Sequence, residues 1–286
     1  MNSLLLFIAL IFAPIVGGIL AGVDRKLSAH FQGRIGPPIL QPFYDIVKLM
    51  SKENIVVSVF QNIYIFAYLL FVISSYLMLF FKMDLLMIIF VYTIANVSLI
   101  IGGMSTGSPY SRIGSQRETM TMLCYEPVLL FFAVSIYSLT GSYNIYILDN
   151  IQKPLILYLP FVFLSMLFIM NIKFKKSPFD FSSSHHAHQE LVKGMLTEFS
   201  GTTYALIEIA HFYETIFLLS LIFLFYSSNL VIGIILALIT YILSIIVDNI
   251  TARLSWEWML KFTYSIILSL CIINLMFIYI FSVKIT

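Results

Sequence analysis

The chain has 286 residues, of which 60% are hydrophobic and only 10% charged, with a formal net charge of +2. A soluble domain carries about 25% charged residues, so this composition excludes an ordinary soluble domain, and the small net charge without a basic tail excludes a nucleic-acid binder. Cys124 and Cys271 both fall in apolar runs; they make no disulfide framework and no iron–sulfur site, which takes about four thiolates.

A helix that crosses the hydrocarbon core needs about 20 mostly apolar residues. Residues 3–22 form the first such segment. It lacks the basic stretch that opens a signal peptide, since Arg25 and Lys26 follow it, and it reads as a retained span. Further segments lie within 54–81 and 85–111, then at 118–139, 154–172, 203–226, 230–247 and 259–283. Tyr226, Ser227, Ser228 and Asn229 break an apolar run that is otherwise too long for one span. The expected fold is all-α: one integral membrane domain, a polytopic protein with about eight transmembrane helices plus cytoplasmic amphipathic helices.

Orientation follows from the basic residues. Loops at about 23–60, 103–117, 173–202 and 248–258, with their flanks, hold 13 of the 16 Lys and Arg residues, leaving Lys82, Lys153 and Lys284 opposite. These loops are therefore expected in the cytoplasm and both termini outside. In the first loop Gly33, Gly36, Pro37 and Pro38 impose irregular backbone, while residues 40–50 alternate at helical spacing and suit a helix lying in the interface. Trp256 and Trp258 beside Arg253 and Lys261 read as an aromatic interfacial anchor.

Ionisable groups inside a span are costly and usually turn toward a cavity or a partner. Glu118 and Glu126 are eight residues apart on the fourth segment, about 80° around a helix, and Pro127 can bend it there. Glu208 and Glu214 flank His211 on the sixth segment in three-residue steps, which makes one broad ionisable stripe. These groups are candidates for an ion path, or for pairing with Lys and Arg near the inner surface. Residues 177–201, SPFDFSSSHHAHQELVKGMLTEFSG, collect Asp180, Glu190, Lys193 and Glu198 with His185, His186 and His188. The serines read as a helix start, with Leu191, Met195, Leu196 and Phe199 on its apolar side. The histidines suit an interface or proton-handling role, or a solvated loop, more than a metal site, because no second ligand cluster accompanies them. No nucleophile–base arrangement, phosphate loop or dinucleotide fingerprint is visible, so the chain alone does not read as an enzyme.

Three motifs carry a family resemblance. The stretch at 177–201 resembles the PFD…ELV.G…TE(Y/F)SG loop of complex I subunit 1, also called H. DRKLSAHFQGRIGPPILQPFYDIVKLMSKE at 24–53 is similar to that family's ERK…Q.R.GP…LQP.AD..KL..KE motif, and SQRETMTMLCYEPVLL at 115–130 to its R…Q..SYE segment. Departures point to one branch. FSSSHHAHQE replaces an acid-rich stretch, GPPILQP is shortened, and Ala210, His211 and Phe212 stand where the family has AEY. These resemble the membrane subunit of Ech-type energy-converting [NiFe] hydrogenases.

The resemblance implies a complex in the plasma membrane of a prokaryote that oxidises reduced ferredoxin, reduces protons and moves H⁺ or Na⁺ outward. It implies no cofactor in this chain. The [NiFe] centre and iron–sulfur clusters are expected on partner subunits: hydrogenase large and small subunits and an iron–sulfur subunit, beside an antiporter-like membrane subunit and the lipid bilayer. Asp180, Glu190 and Glu198 match acids in the family's central coupling loop, and Glu126 matches the acid of its SYE segment. Arg25, Arg34, Gln41, Asp45 and Lys48 match the first motif and are expected, with Arg112, Arg117 and the three loop histidines, at the peripheral-arm interface. The alternatives are a quinone-type complex I subunit 1 or a secondary transporter. The polar mass on one face disfavours the transporter, because transporter sites sit at the midplane between repeats.

Overall fold

Apolar runs bounded by helix breakers set the architecture. The computed structural model describes residues 3–55, 57–151, 153–176, 178 and 193–281. Its helices are α1 (Ser3–Phe31), α2 (Gln41–Met50), α3 (Val59–Phe80), α4 (Leu85–Met104), α5 (Pro109–Thr140), α6 (Pro160–Lys173), α7 (Gly201–Phe223), α8 (Leu230–Ile250), α9 (Trp256–Phe262) and α10 (Leu268–Ile280), the last two joined by a π-helical stretch, Thr263–Ile267. Among the described residues there is no strand, only an isolated bridge between Asp84 and Asn144. The fold is all-α, as expected.

Local chemistry explains the helix starts. The Asp84 carboxylate accepts from the Leu86 and Met87 amides and caps α4, and the Asn229 side chain caps α8 through Val231 and Ile232. Proline in the first turn, which needs no N–H there, opens α2 and α6.

Among the described residues, six helices are long and apolar enough to cross a membrane: α3, α4, α5, α7, α8 and the α9–α10 run. The other two expected segments are α1, with 29 residues, and α6. At 14 residues, α6 is only about 21 Å long.

Outward and inward faces are reversed relative to a soluble bundle. On α8, Ile234, Leu238, Ile242 and Ile246 are exposed at four-residue steps, while Gly233, Ala237, Thr240 and Ser244 are buried. Lipid accepts the branched aliphatic face, and small residues let helices approach one another.

Several boundaries differ from the sequence expectation. The helix expected to end near Gly22 continues to Phe31, because no glycine or proline lies between Gly22 and Gly33, so Arg25 is helical and the loop expected from residue 23 begins after 31. The fourth segment starts at Pro109 rather than 118, which places Arg112 and Arg117 on the first turns of α5 instead of in a loop. The fifth starts at Pro160, behind a 3₁₀ turn at Leu155–Leu157, because a residue preceding proline avoids the helical region. The helix expected from the serines at 182–184 lies mostly outside the described residues. Its described end is a 3₁₀ turn, Gly194–Leu196, and not α-helix; Met195, Leu196 and Phe199 are nonetheless buried.

The chain divides into two compact units, one drawn from Met1–Leu77, Val91–Met120 and Asp180–Ile216, the other from Met78–Phe90, Thr121–Phe179 and Phe217–Thr286. In the first, α1 and α7 touch backbone to backbone, since a Cβ on Gly17 would collide with the Phe212 carbonyl oxygen. A Cβ on Gly114 of α5 would likewise strike the Met195 amide nitrogen, and the Ser111 hydroxyl bonds the Met195 carbonyl at 3.1 Å. The end of the 177–201 stretch is thereby fixed to α5. In the second unit, Phe225 packs against Phe132 and Phe163, and the Asn274 side chain clips Phe161 and Tyr158.

Candidate functional site

α7 carries Tyr204, Glu208, His211 and Glu214 at three- and four-residue steps, a spacing that puts them along one side of a helix. Glu214 is buried, at 6% exposure, where an ionisable group needs partners. Its Oε1 accepts from the Tyr92 hydroxyl of α4. Its Oε2 accepts from the Tyr68 hydroxyl of α3 at 3.2 Å and lies 3.1 Å from His211 Nδ1. Tyr68 and Tyr92 are fully buried, and His211 Nδ1 is also 3.3 Å from the Tyr68 hydroxyl. Three helices of the first unit therefore converge on one carboxyl.

The protonation chemistry is constrained. An ionised carboxylate only accepts hydrogen bonds, so both phenols donate to it and His211 presents a protonated Nδ1. A neutral Glu214 instead has an O–H to donate, and His211 Nδ1 can accept it when the imidazole proton sits on Nε2. A tautomer change at one histidine thus lets the same side chains satisfy both states of the acid. The His211 side chain is the more open of the pair, 26% exposed against 8% for Glu214, so it stands between the carboxyl and its surroundings.

A second polar group lies in the same unit. Arg25 Nη1 of α1 meets Asp45 Oδ2 of α2 at 2.5 Å, and Gln41 Nε2 donates to Asp45 Oδ1 at 3.0 Å. Glu208, Arg25 and Asp45 all lie within electrostatic reach of Tyr204. The structure therefore gathers Arg25, Gln41, Asp45 and Glu208, which the sequence had assigned to two separate roles. Arg34 instead bonds the exposed Gln32, and Lys48 and Arg112 are exposed. Arg117 and Glu118 are half-buried on α5, each engaged with other groups. Glu198 is half-buried; its carbonyl accepts from the buried Gln61 at 3.2 Å. Next to it, the Ser200 hydroxyl bonds both the amide and the carbonyl of Ile55.

Glu126 belongs to the second unit. It is half-buried, its Oε1 has no hydrogen-bond partner among the described residues, and Lys173 of α6 lies within electrostatic reach. Asp180, Glu190, His185, His186 and His188 lie outside the described residues.

Tyr68, Tyr92 and Tyr204 were not singled out from the sequence. A buried phenol needs a partner for its hydroxyl, which is a signal, but it is diluted among 17 tyrosines.

Comparison with known proteins gives this geometry a context. A family profile described as NADH dehydrogenase matches residues 3–279. The chain is similar to the H subunit of NADH-quinone oxidoreductase from Geobacillus kaustophilus, with 28% identity covering 72% of this chain and 67% of the relative. It is 30% identical to formate hydrogenlyase subunit 4 of Escherichia coli, over 68% of this chain and 67% of that one. Its fold matches a chain of the membrane-bound sulfane sulfur reductase, an archaeal respiratory membrane complex, with a TM-score of 0.82 at 23% identity, covering 94% of this chain and 96% of the other.

Proposed function

The chain belongs to the NADH dehydrogenase family of membrane subunits, that of complex I subunit 1 or H, and from that membership we propose that it is the membrane-anchor and coupling subunit of a ferredoxin-dependent energy-converting hydrogenase. It is a multi-pass membrane protein, and its relatives are parts of multi-subunit respiratory membrane complexes.

In this reading electrons pass through a peripheral arm on the cytoplasmic side of a prokaryotic plasma membrane, with both termini of this chain outside. The arm comprises hydrogenase large and small subunits and an iron–sulfur subunit, which hold the [NiFe] centre and the clusters; an antiporter-like subunit lies alongside in the membrane. Arg25, Arg34, Gln41, Asp45, Lys48, Arg112, Arg117 and the three loop histidines meet the arm. Asp180, Glu190 and Glu198 relay its redox state to buried carboxyls, and H⁺ or Na⁺ moves by way of Glu118, Glu126, Glu208, His211 and Glu214. Partly buried acids suit this task because they bind an ion without full hydration.

The observation that carries the reading is the Glu214 carboxyl held by Tyr68, Tyr92 and His211 inside a membrane bundle. His211 stands where the quinone-reducing members have the acid of their AEY segment, which favours the hydrogenase branch. The likeness to the H subunit of a quinone oxidoreductase supports a second reading, a quinone-type complex. Purification through a tag on this chain separates the two. Co-purifying nickel with ferredoxin-dependent hydrogen evolution supports the first reading; quinone reduction without nickel supports the second. In liposomes, Glu214→Gln at equal assembly is expected to abolish ion translocation while turnover with artificial donors persists. Unchanged translocation removes Glu214 from the path.

A further inference from the structure

We propose that Tyr213 is a positioning residue, a latch from α7 to α1 that sets where Glu214 stands; this builds on the reading of Glu214 as an ion-path acid. Pro14 lies inside α1. It has no N–H to return to the Leu10 carbonyl four residues earlier. Inside a membrane no water is at hand to satisfy such a carbonyl, so a neighbouring helix must do so. The Tyr213 hydroxyl does, donating to the Leu10 carbonyl at 2.6 Å from a ring that is only 3% exposed and packs against Tyr76.

Three consecutive residues of α7 then divide the work. Phe212 brings its carbonyl against Gly17 of α1, leaving no room for a Cβ. Tyr213 bonds α1 at Leu10, further along that helix. Glu214 carries the carboxyl that α3 and α4 grip. The first contact limits how closely α7 approaches, and the second is directional and fixes its rotation. Hydrogen bonds weaken within a few tenths of an ångström and a few tens of degrees, so the Glu214 geometry depends on both.

The same device recurs in the second unit. Pro127 follows Glu126 and has no N–H to give the Leu123 carbonyl, and the Tyr264 hydroxyl donates to that oxygen at 3.2 Å. In each unit a proline-freed carbonyl is taken by a tyrosine from another helical segment. One member of each arrangement, Tyr213 or Pro127, adjoins the candidate acid in sequence.

The test compares Tyr213→Phe, Pro14→Ala and the double variant in the whole complex, reconstituted in liposomes, reading ions moved per turnover beside assembly and turnover with artificial donors. Pro14→Ala supplies an N–H to the Leu10 carbonyl, whose second lone pair can still take the Tyr213 hydroxyl, so it is the control, and the double variant is the one that loses the latch without leaving that carbonyl unsatisfied. A latch predicts that Tyr213→Phe and the double variant both lower ions per turnover about tenfold, within the range that small misplacements cost, with turnover kept. If Tyr213→Phe acts only by stranding the carbonyl, Pro14→Ala rescues it in the double variant, and the proposal is overturned. Normal coupling in both overturns it as well. Should Tyr213→Phe fail to assemble, the double variant alone decides. Glu214→Gln runs in parallel: if it couples normally, the ion-path reading itself fails, whereas lost coupling there with normal latch variants removes only the latch.

Discussion

The two compact units each set a carboxyl in a membrane helix, and they treat it in opposite ways. In the first, Glu214 meets Tyr92 on one oxygen and Tyr68 and His211 on the other. In the second, Glu126 Oε1 has no hydrogen-bond partner among the described residues, and its cationic neighbour Lys173 also sits 4.3 Å over the Tyr125 ring. A gripped acid is part of the packing, and its removal takes an acceptor from each donor aimed at it. An acid with an unsatisfied buried oxygen costs stability where it stands, so its presence inside a span is a functional signal.

That contrast is broken or sharpened first by Glu214→Leu, the largest expected effect. It takes this acceptor from the Tyr92 hydroxyl, at about 1–3 kcal/mol, and leaves the Tyr68 hydroxyl with His211 Nδ1 at 3.3 Å. Thermal unfolding of the detergent-purified complex is expected to show a loss of roughly 3–5 kcal/mol, as when one partner of a buried polar set is removed. Unfolding at the wild-type temperature would mean that the grip seen on Glu214 is not structural, and the contrast with Glu126 would collapse.

Glu126→Gln is the complementary case. With no hydrogen bond to a described residue on Oε1, its stability is expected to stay within about 0.5 kcal/mol of wild type, while coupled ion translocation is abolished at equal assembly. Translocation at the normal rate takes Glu126 out of the path. A large loss of stability would show instead that the carboxyl is structural, like Glu214.

The two acids also differ in how much the sequence reveals about them. Glu126 and Glu214 stand out because each interrupts an apolar run, and the helices around them follow from hydropathy alone. Their surroundings are less legible. Tyr68 and Tyr92 lie on other helices, and which phenol meets the carboxyl depends on helix rotation, to which uniformly apolar spans give little periodic clue. The meeting of Arg25 and Asp45 is likewise invisible when residues 23–60 are read as one loop, because it depends on α1 continuing past Arg25 to Phe31. Pro127 is legible as a place where its helix can bend. That α1 and α5 both continue through a proline, with tyrosines taking the freed carbonyls, is a tertiary outcome.

Within the first unit, the two tyrosines sharpen the contrast further. Tyr92 donates to Oε1, whereas Tyr68 shares Oε2 with His211. Tyr92→Phe is therefore expected to cost about 1.5–3 kcal/mol, the scale of a hydrogen bond to a charged group, and Tyr68→Phe roughly half of that because the imidazole remains. Equal losses in thermal unfolding would show that His211 does not hold Oε2.

The smallest effect is expected from Arg25→Ala. Arg25 and Asp45 are close, at 2.5 Å, but their side chains are 36% and 38% exposed, so solvent screens the pair and its worth is below about 1 kcal/mol. Asp45 also keeps its bond from Gln41, so removing the guanidinium does not strand it. Stability should fall by that small amount, and the difference from wild type should shrink in high salt, which screens exposed pairs. A loss above about 2 kcal/mol that salt does not reduce would mark the pair as buried and coupled in the way Glu214 is. Arg25, Asp45, Tyr204 and Glu208 would then be a second gripped acid cluster in the first unit, and Glu126 would stand alone in being held loosely.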